Sequence, residues 1–311
     1  MPWTRRVPTI ATALACMAGA ASGQSDRPTD QWLTTPVDPR TFETYLEFFS
    51  YEASLSRDRR VTSTEAVEGL TEERLTFVST PGMKVTARSY RLSAGTPRGG
   101  IVFLHGGTPN GKDSQNVVAH SRVLARAGWA VLAIDLQYFG ERNTGLFETF
   151  GAQEKADRLY NQPSLYLEFA IQTVKDVGRA YDVLVADYGI DPRKVALVGY
   201  SRGAQMGMIA GGADRRLAAV ALIHGGHFDA LENGHRPAAC GANYIGRINP
   251  RPLLMINGRA DTDYLPAVSV EPLQRLLGRQ STIRWTDASH GIVTEEDLTV
   301  LVDWLQNSVP R

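Results

Sequence analysis

Lys194-Val195-Ala196-Leu197-Val198-Gly199-Tyr200-Ser201-Arg202-Gly203-Ala204-Gln205-Met206 joins an apolar run, a G-x-S-x-G turn and a run of small residues. Lys194 to Val198 predicts a buried strand, and Arg202 to Ala210 predicts a helix of small residues. The pentapeptide by itself is a weak signal, because roughly one random chain in seven with this Gly and Ser content contains it. Its setting gives it weight. A sharp strand-to-helix turn holds a Ser backbone in strained geometry with Oγ exposed, and small residues on either side let strand and helix approach. Ser201 is therefore the candidate nucleophile.

The same alternation extends in both directions. Upstream, Ile101–Leu104 and Trp129–Ile134 are short apolar runs separated by a helical stretch, Ser114 to Ala127, that Gly128 closes. Ser164 is expected to cap a long helix whose stripe runs through Leu167, Ala170, Ile171, Val174, Val177, Tyr181 and Leu184. Downstream, strands are expected at Ala218–Ile223, Leu253–Asn257 and Thr282–Trp285, with a helix around Val268 to Leu277. Thr294 and Asp297 resemble a capping box ahead of a helix with Leu298, Leu301, Val302 and Leu305 on its apolar face. Ahead of these, Leu75–Val78 and Val85–Leu92 flank the turn signal Pro81-Gly82, and Phe42, Tyr45, Leu46 and Phe49 predict a helix over Thr41 to Ser54. Strands alternating with helices imply a mostly parallel, twisted sheet of about eight strands with helices on both faces. Ligands of such sheets bind beyond the carboxyl ends of the strands.

The chemistry-bearing residues fall at those ends. A serine hydroxyl needs a positioned imidazole to take its proton. His290, just past the last expected strand, is free to reach Ser201. Asp261, after the Leu253–Asn257 strand, is the candidate to accept the imidazole N–H; Asp263 competes for that role, and Asp229 is a more remote alternative. The chain order Ser201, Asp261, His290 differs from the chymotrypsin and subtilisin orders. His105-Gly106-Gly107 follows the Ile101–Leu104 strand. A tetrahedral intermediate needs two backbone donors, and the candidates are the N–H groups of Gly107 and Arg202. His105 itself reads as structural.

These residues together resemble the α/β-hydrolase superfamily from about Leu75 to Leu305. Asp135 through Tyr138-Phe139-Gly140-Glu141-Arg142, Asp176-Val177-Gly178-Arg179-Ala180 and Gly199-Tyr200-Ser201-Arg202-Gly203-Ala204 are similar to the dienelactone-hydrolase and acetyl-xylan-esterase-like branches. Those branches are close to the catalytic domain of prolyl oligopeptidases. The resemblance implies an α/β-hydrolase fold and hydrolysis of a carboxylic ester, less often an amide, with no metal or organic cofactor. Dienelactone hydrolases use Cys as nucleophile, so Ser201 argues against dienelactone as the substrate. The propeller of the oligopeptidases does not fit in the roughly 50 residues between the expected signal segment and the first expected strand.

Composition bounds the rest. The chain has 311 residues with 33 basic and 33 acidic side chains, a balance that argues against general nucleic-acid binding. Arg5 and Arg6 ahead of the small apolar stretch Ile10 to Ala21 read as a signal peptide over 1–23, hence a secreted or periplasmic protein. Thr4-Arg5-Arg6 and Ala13-Leu14-Ala15-Cys16 hint at twin-arginine or lipoprotein export, but Pro8 and Ala13 depart from those patterns. Residues 24–72 are expected to form a lead-in and helix, and 73–311 the catalytic domain. No later stretch is expected to cross a membrane. With Cys16 removed, Cys240 stands alone and no intramolecular disulfide is expected.

His224, His227, Asp229, Glu232 and His235 could bind a transition metal, although Gly225-Gly226 and irregular spacing favour a pocket-lining loop. Residues 141–163 are either a cover over the site or a plain connection. Arg202 points to either a substrate group or a buried ion pair. The leading expectation is a serine esterase acting on a small-molecule or saccharide ester. A peptidase or amidase on the same residues and a non-catalytic binding protein are the alternatives.

Overall fold

The computed structural model describes residues 30–234, 236–291 and 293–310. The expected signal peptide, Cys16 and His235 lie outside the described residues. Among the described residues nine strands form one sheet in the order β1-β2-β3-β5-β4-β6-β7-β8-β9. Its central strands β4 (Gly100–Leu104), β5 (Ala130–Ile134), β6 (Val195–Tyr200) and β7 (Ala219–Ile223) are buried at every position. Burial on both faces is why they read as continuous apolar runs. β8 (Leu253–Ala260) and β9 (Ser281–Ser289) complete the parallel part.

Neighbouring residues of one strand feed opposite cores. Val102 and Leu104 of β4, with Leu197 of β6, face one core; Ile101, Phe103 and Val198 face the other. The first core is closed by α1 (Pro39–Phe48), α3 (Pro163–Tyr188) and α4 (Arg202–Ala213). The second is closed by α2 (Gln115–Arg126) and α5 (Glu295–Ser308). Each large side chain removed from water contributes about 1.5–3 kcal/mol, so both faces are stabilised by the same apolar strands.

Sequence and structure differ in four places. The ninth strand is β1 (Arg60–Val67), antiparallel to β2 (Leu70–Thr80) and lying within the stretch expected as lead-in and helix. It is a sheet edge with no fully buried residue, so no apolar alternation marks it. β2 pairs with β3 (Met83–Leu92) across the Pro81-Gly82 turn. α1 begins earlier and ends sooner than expected: Asp38 caps it by accepting the N–H groups of Arg40 and Thr41, and Phe49 already sits at its end. Ser164 is not the cap of α3; Pro163 occupies the first turn, where a residue without N–H costs nothing, and Gln162 precedes it. The expected Val268–Leu277 helix is a π-turn, Pro266–Val270, running into a short helix, Glu271–Gln274, because Pro272, inside the expected helix, removes a backbone donor. The capping box of Thr294 and Asp297 is present.

The segments after β5 and on α3 meet. Arg142 donates to the Asp135 carbonyl at 2.9 Å and to the Asp176 carboxylate at 2.6 Å. The Asp135 carboxylate in turn accepts from Thr86 at 2.6 Å and from the Lys112 ammonium at 2.8 Å. This buried network ties the carboxyl end of β5 to α3. Among the described residues no helix is long and apolar enough to cross a membrane.

Candidate active site

Ser201 sits at the turn from β6 into α4 with φ +52° and ψ −117°. This is a conformation that L-residues avoid, held here by the elements on either side. Gly203 makes the turn sterically possible, because a Cβ there would collide with the Leu104 carbonyl of the neighbouring strand. His290 follows β9 directly and Asp261 follows β8. Ser201 Oγ is 2.9 Å from His290 Nε2, and His290 Nδ1 is 2.9 Å from Asp261 Oδ2. The second Asp261 oxygen accepts the backbone N–H groups of Asp263 and Tyr264, both at 2.9 Å. Asp261 is therefore fixed by its own loop, and its Oδ2 orients the His290 imidazole.

The electrostatics follow from these contacts. Burial alone would raise the Asp261 pKa. The nearby His224 imidazole, the His290 hydrogen bond and the Tyr264 N–H outweigh it, and the carboxyl is held well below the usual carboxylate range. For His290, burial disfavours the imidazolium. The hydrogen bond and charge of Asp261, then the charges of Asp263 and Asp229, outweigh that effect, and the pKa is raised. The arrangement thus favours a proton on His290 at the moment Ser201 gives one up.

The loop after β4 passes directly over Ser201. A Cβ on Gly106 would stand 3.1 Å from the Ser201 Cβ. Buried His105 fixes this loop. Its Nε2 accepts the Leu136 N–H at 2.9 Å, so Nδ1 carries the proton and donates to the Gly106 carbonyl at 2.6 Å. Thr108 N–H donates to the same carbonyl at 2.8 Å. The peptide whose carbonyl takes both bonds is the one whose N–H belongs to Gly107. The backbone N–H groups of Gly107 and Arg202 have no acceptor among the described residues, and both residues line the cavity above Ser201.

That cavity measures about 380 Å³. One wall is the polar stretch Thr108, Asn110, Ser114, Gln115 and Asn116; Tyr160, Tyr200 and Tyr264 supply aromatic surface. The segment 141–163 covers part of it: Ala152, Lys155 and Tyr160 face the cavity, while Phe147 and Phe150 pack on Phe139. Lys155 donates to the Gly107 carbonyl at 2.6 Å, and burial, followed by the charge of Arg202, lowers its pKa. Nothing in the sequence pattern of this segment singles out Lys155.

Asp263 does not take the Asp261 position. It lies on the other side of the ring, 3.6 Å from His290 Nε2. The Arg202 guanidinium is committed to a buried ion pair with Glu232 and lies over the Tyr160 ring at 3.4 Å. Among the described residues the His-rich run divides: Asp229 and Glu232 turn to Arg202, and the two described imidazoles turn elsewhere. His224 Nδ1 lies 3.5 Å from Asp261, Asp229 lies 3.6 Å from Arg202, and His227 turns to Asp30.

Fold and site geometry together define an α/β-hydrolase fold: a mostly parallel sheet, a serine at a strained strand-to-helix turn, and an imidazole and carboxylate at later strand ends. Solved structures share this architecture. An acetyl xylan esterase from Paenibacillus sp. R4 is 14% identical and superposes with a TM-score of 0.68 over 91% of this chain and 100% of that one. A cold-adapted esterase from an Arctic intertidal metagenomic library is 19% identical, with a TM-score of 0.63 over 84% of this chain and 100% of that one. A dienelactone hydrolase-like promiscuous phosphotriesterase from metagenomic libraries is 16% identical, with a TM-score of 0.59 over 78% of this chain and 100% of that one. No family model matches the chain, and no curated protein matches it.

Proposed function

We propose that this protein is a serine ester hydrolase working through an acyl-enzyme, with Ser201 as nucleophile, His290 as general base and acid, and Asp261 as the orienting carboxylate. The observation that carries the reading is the hydrogen-bonded chain Ser201–His290–Asp261, with Ser201 at φ +52° and all three residues at carboxyl ends of parallel strands. Ser201 Oγ attacks the ester carbonyl carbon while its proton passes to His290 Nε2. The oxyanion accepts the N–H groups of Gly107 and Arg202, each contributing about 3–4 kcal/mol of transition-state stabilisation. Collapse breaks the bond to the alcohol oxygen, which leaves with the His290 proton. Water, deprotonated by His290, then releases the acid and restores Ser201.

The wall Thr108 to Asn116 carries amide and hydroxyl groups that match a polyol better than a long acyl chain, and the cavity of about 380 Å³ suits a small acyl group. The substrate class proposed is a small acyl ester of a polar alcohol, such as an acetylated saccharide. This agrees with the acetyl xylan esterase named above. The residue 1–23 segment is proposed to direct export to the periplasm or exterior, with 73–311 as the catalytic domain.

Treatment with a fluorophosphonate, followed by peptide mass mapping, tests the assignment. One adduct on Ser201, absent from Ser201→Ala, is expected; an adduct elsewhere, or none, overturns it. A panel of acetylated sugars against p-nitrophenyl esters of increasing chain length tests the substrate class, with acetates expected to be preferred.

A further inference from the structure

Asp30, ahead of α1, meets His227 and Cys240 of the long connection between β7 and β8. His227 Nε2 is 3.0 Å from Asp30 Oδ2. Cys240 Sγ is 3.6 Å from that same oxygen and 4.0 Å from His227 Nε2. The His227 and Cys240 side chains are buried. None of the three residues lines the cavity above Ser201.

We propose that Asp30, His227 and Cys240 form a binding site for one Zn²⁺ ion that fastens the segment ahead of α1 to the β7–β8 connection. Zinc takes sulfur at about 2.3 Å and imidazole nitrogen or carboxylate oxygen at about 2.0–2.2 Å, so the edges of its tetrahedron run about 3.3–3.6 Å. The observed edges of 3.0, 3.6 and 4.0 Å straddle that range, and closing on an ion requires shifts of only a few tenths of an ångström. The donor set of one thiolate, one imidazole and one carboxylate suits borderline-soft zinc. Its two anionic ligands neutralise the ion, so no net charge is left in a dry interior. The fourth position is left for water or a further side chain.

Without a cation Cys240 stays a thiol, since burial and then the Asp30 charge push its pKa up. Binding therefore displaces the thiol proton, one per ion, while His227 coordinates through Nε2 with its own proton on Nδ1. Affinity falls as pH is lowered.

The test is Co²⁺ titration of the metal-stripped full chain. A thiolate-to-cobalt charge-transfer band saturating at one ion per chain, displaced by Zn²⁺, is expected. Cys240→Ser should abolish the band, and Asp30→Asn should weaken binding by more than the roughly 10–100-fold that loss of a ligand's hydrogen-bond partner costs. Zn²⁺ should raise the melting temperature of the wild type, and chelation should reverse the rise. Absence of the band in wild type overturns the proposal without recourse to any variant. So does binding that survives Cys240→Ser and inhibits ester hydrolysis, because it would place the ion on His224, Asp261 and His290, whose ligand atoms also converge.

Discussion

Asp263 Oδ2 lies 3.6 Å from His290 Nε2, the nitrogen that also faces Ser201 Oγ at 2.9 Å. The imidazole therefore stands between two carboxylates, Asp261 on Nδ1 and Asp263 near Nε2. Both favour the charged ring against the opposing effect of burial. In the proposed mechanism His290 must be neutral to accept the Ser201 proton, so activity should rise with pH through the raised His290 pKa. Asp263→Asn removes one of the two charges, so the acid limb of kcat/KM should move to lower pH with the plateau little changed. An unmoved limb would show that Asp263 is screened from the ring.

The same raised pKa acts on stability with the opposite sign. A group whose pKa is higher in the folded state stabilises the fold below its unfolded value, near 6.5 for His, and that contribution is lost as pH rises through the folded value. Denaturant unfolding of His290→Ala against wild type should therefore show a wild-type advantage below about pH 6.5 that shrinks on going alkaline. A difference that grows with pH contradicts the assignment.

Lys155 reaches out of the covering segment to the Gly107 carbonyl at 2.6 Å and so steadies the loop that carries one proposed oxyanion donor. Lys155→Met keeps much of the side-chain volume and removes the donor. A drop of about 10–100-fold in kcat/KM, mostly in kcat, is expected, since small misplacements of reacting groups cost this much. A change confined to KM would instead make Lys155 a substrate contact.

Arg142 and Asp176 pair at 2.6 Å with both side chains almost wholly buried, at 6% and 1% exposure. Breaking one half leaves an uncompensated buried charge, which costs about 3–5 kcal/mol. Urea unfolding of Asp176→Ala should show that loss, and Arg142→Met with Asp176→Leu together should recover part of it. Equal stability of wild type and Asp176→Ala would mean that solvent reaches the pair.

The centre of the parallel sheet was legible because β4 to β7 are apolar on both faces. Ser201, Asp261 and His290 were legible as candidates because each stands at or directly beyond the end of an expected strand, although β9, ahead of His290, is partly to fully exposed along its length. β1 was not, because an exposed edge strand such as Arg60–Val67 is recognised only once β2 is beside it. Arg202 could not be decided from its neighbours, since its partner Glu232 lies 30 residues along the chain. Lys155 and the meeting of Asp30 with Cys240, 210 residues apart, depend wholly on how loops fold back, which local patterning does not encode. The His-rich run misleads as a unit because its described members divide among three neighbours despite their closeness in sequence: Asp229 and Glu232 at Arg202, His224 at Asp261 and His227 at Asp30.

The central claim is that Ser201 forms the acyl-enzyme. Its most direct test is kcat/KM for an acetate ester in wild type and Ser201→Ala, with folding checked by circular dichroism. Loss of about 10⁴-fold or more in the folded variant is predicted; comparable hydrolysis by the two proteins would contradict it.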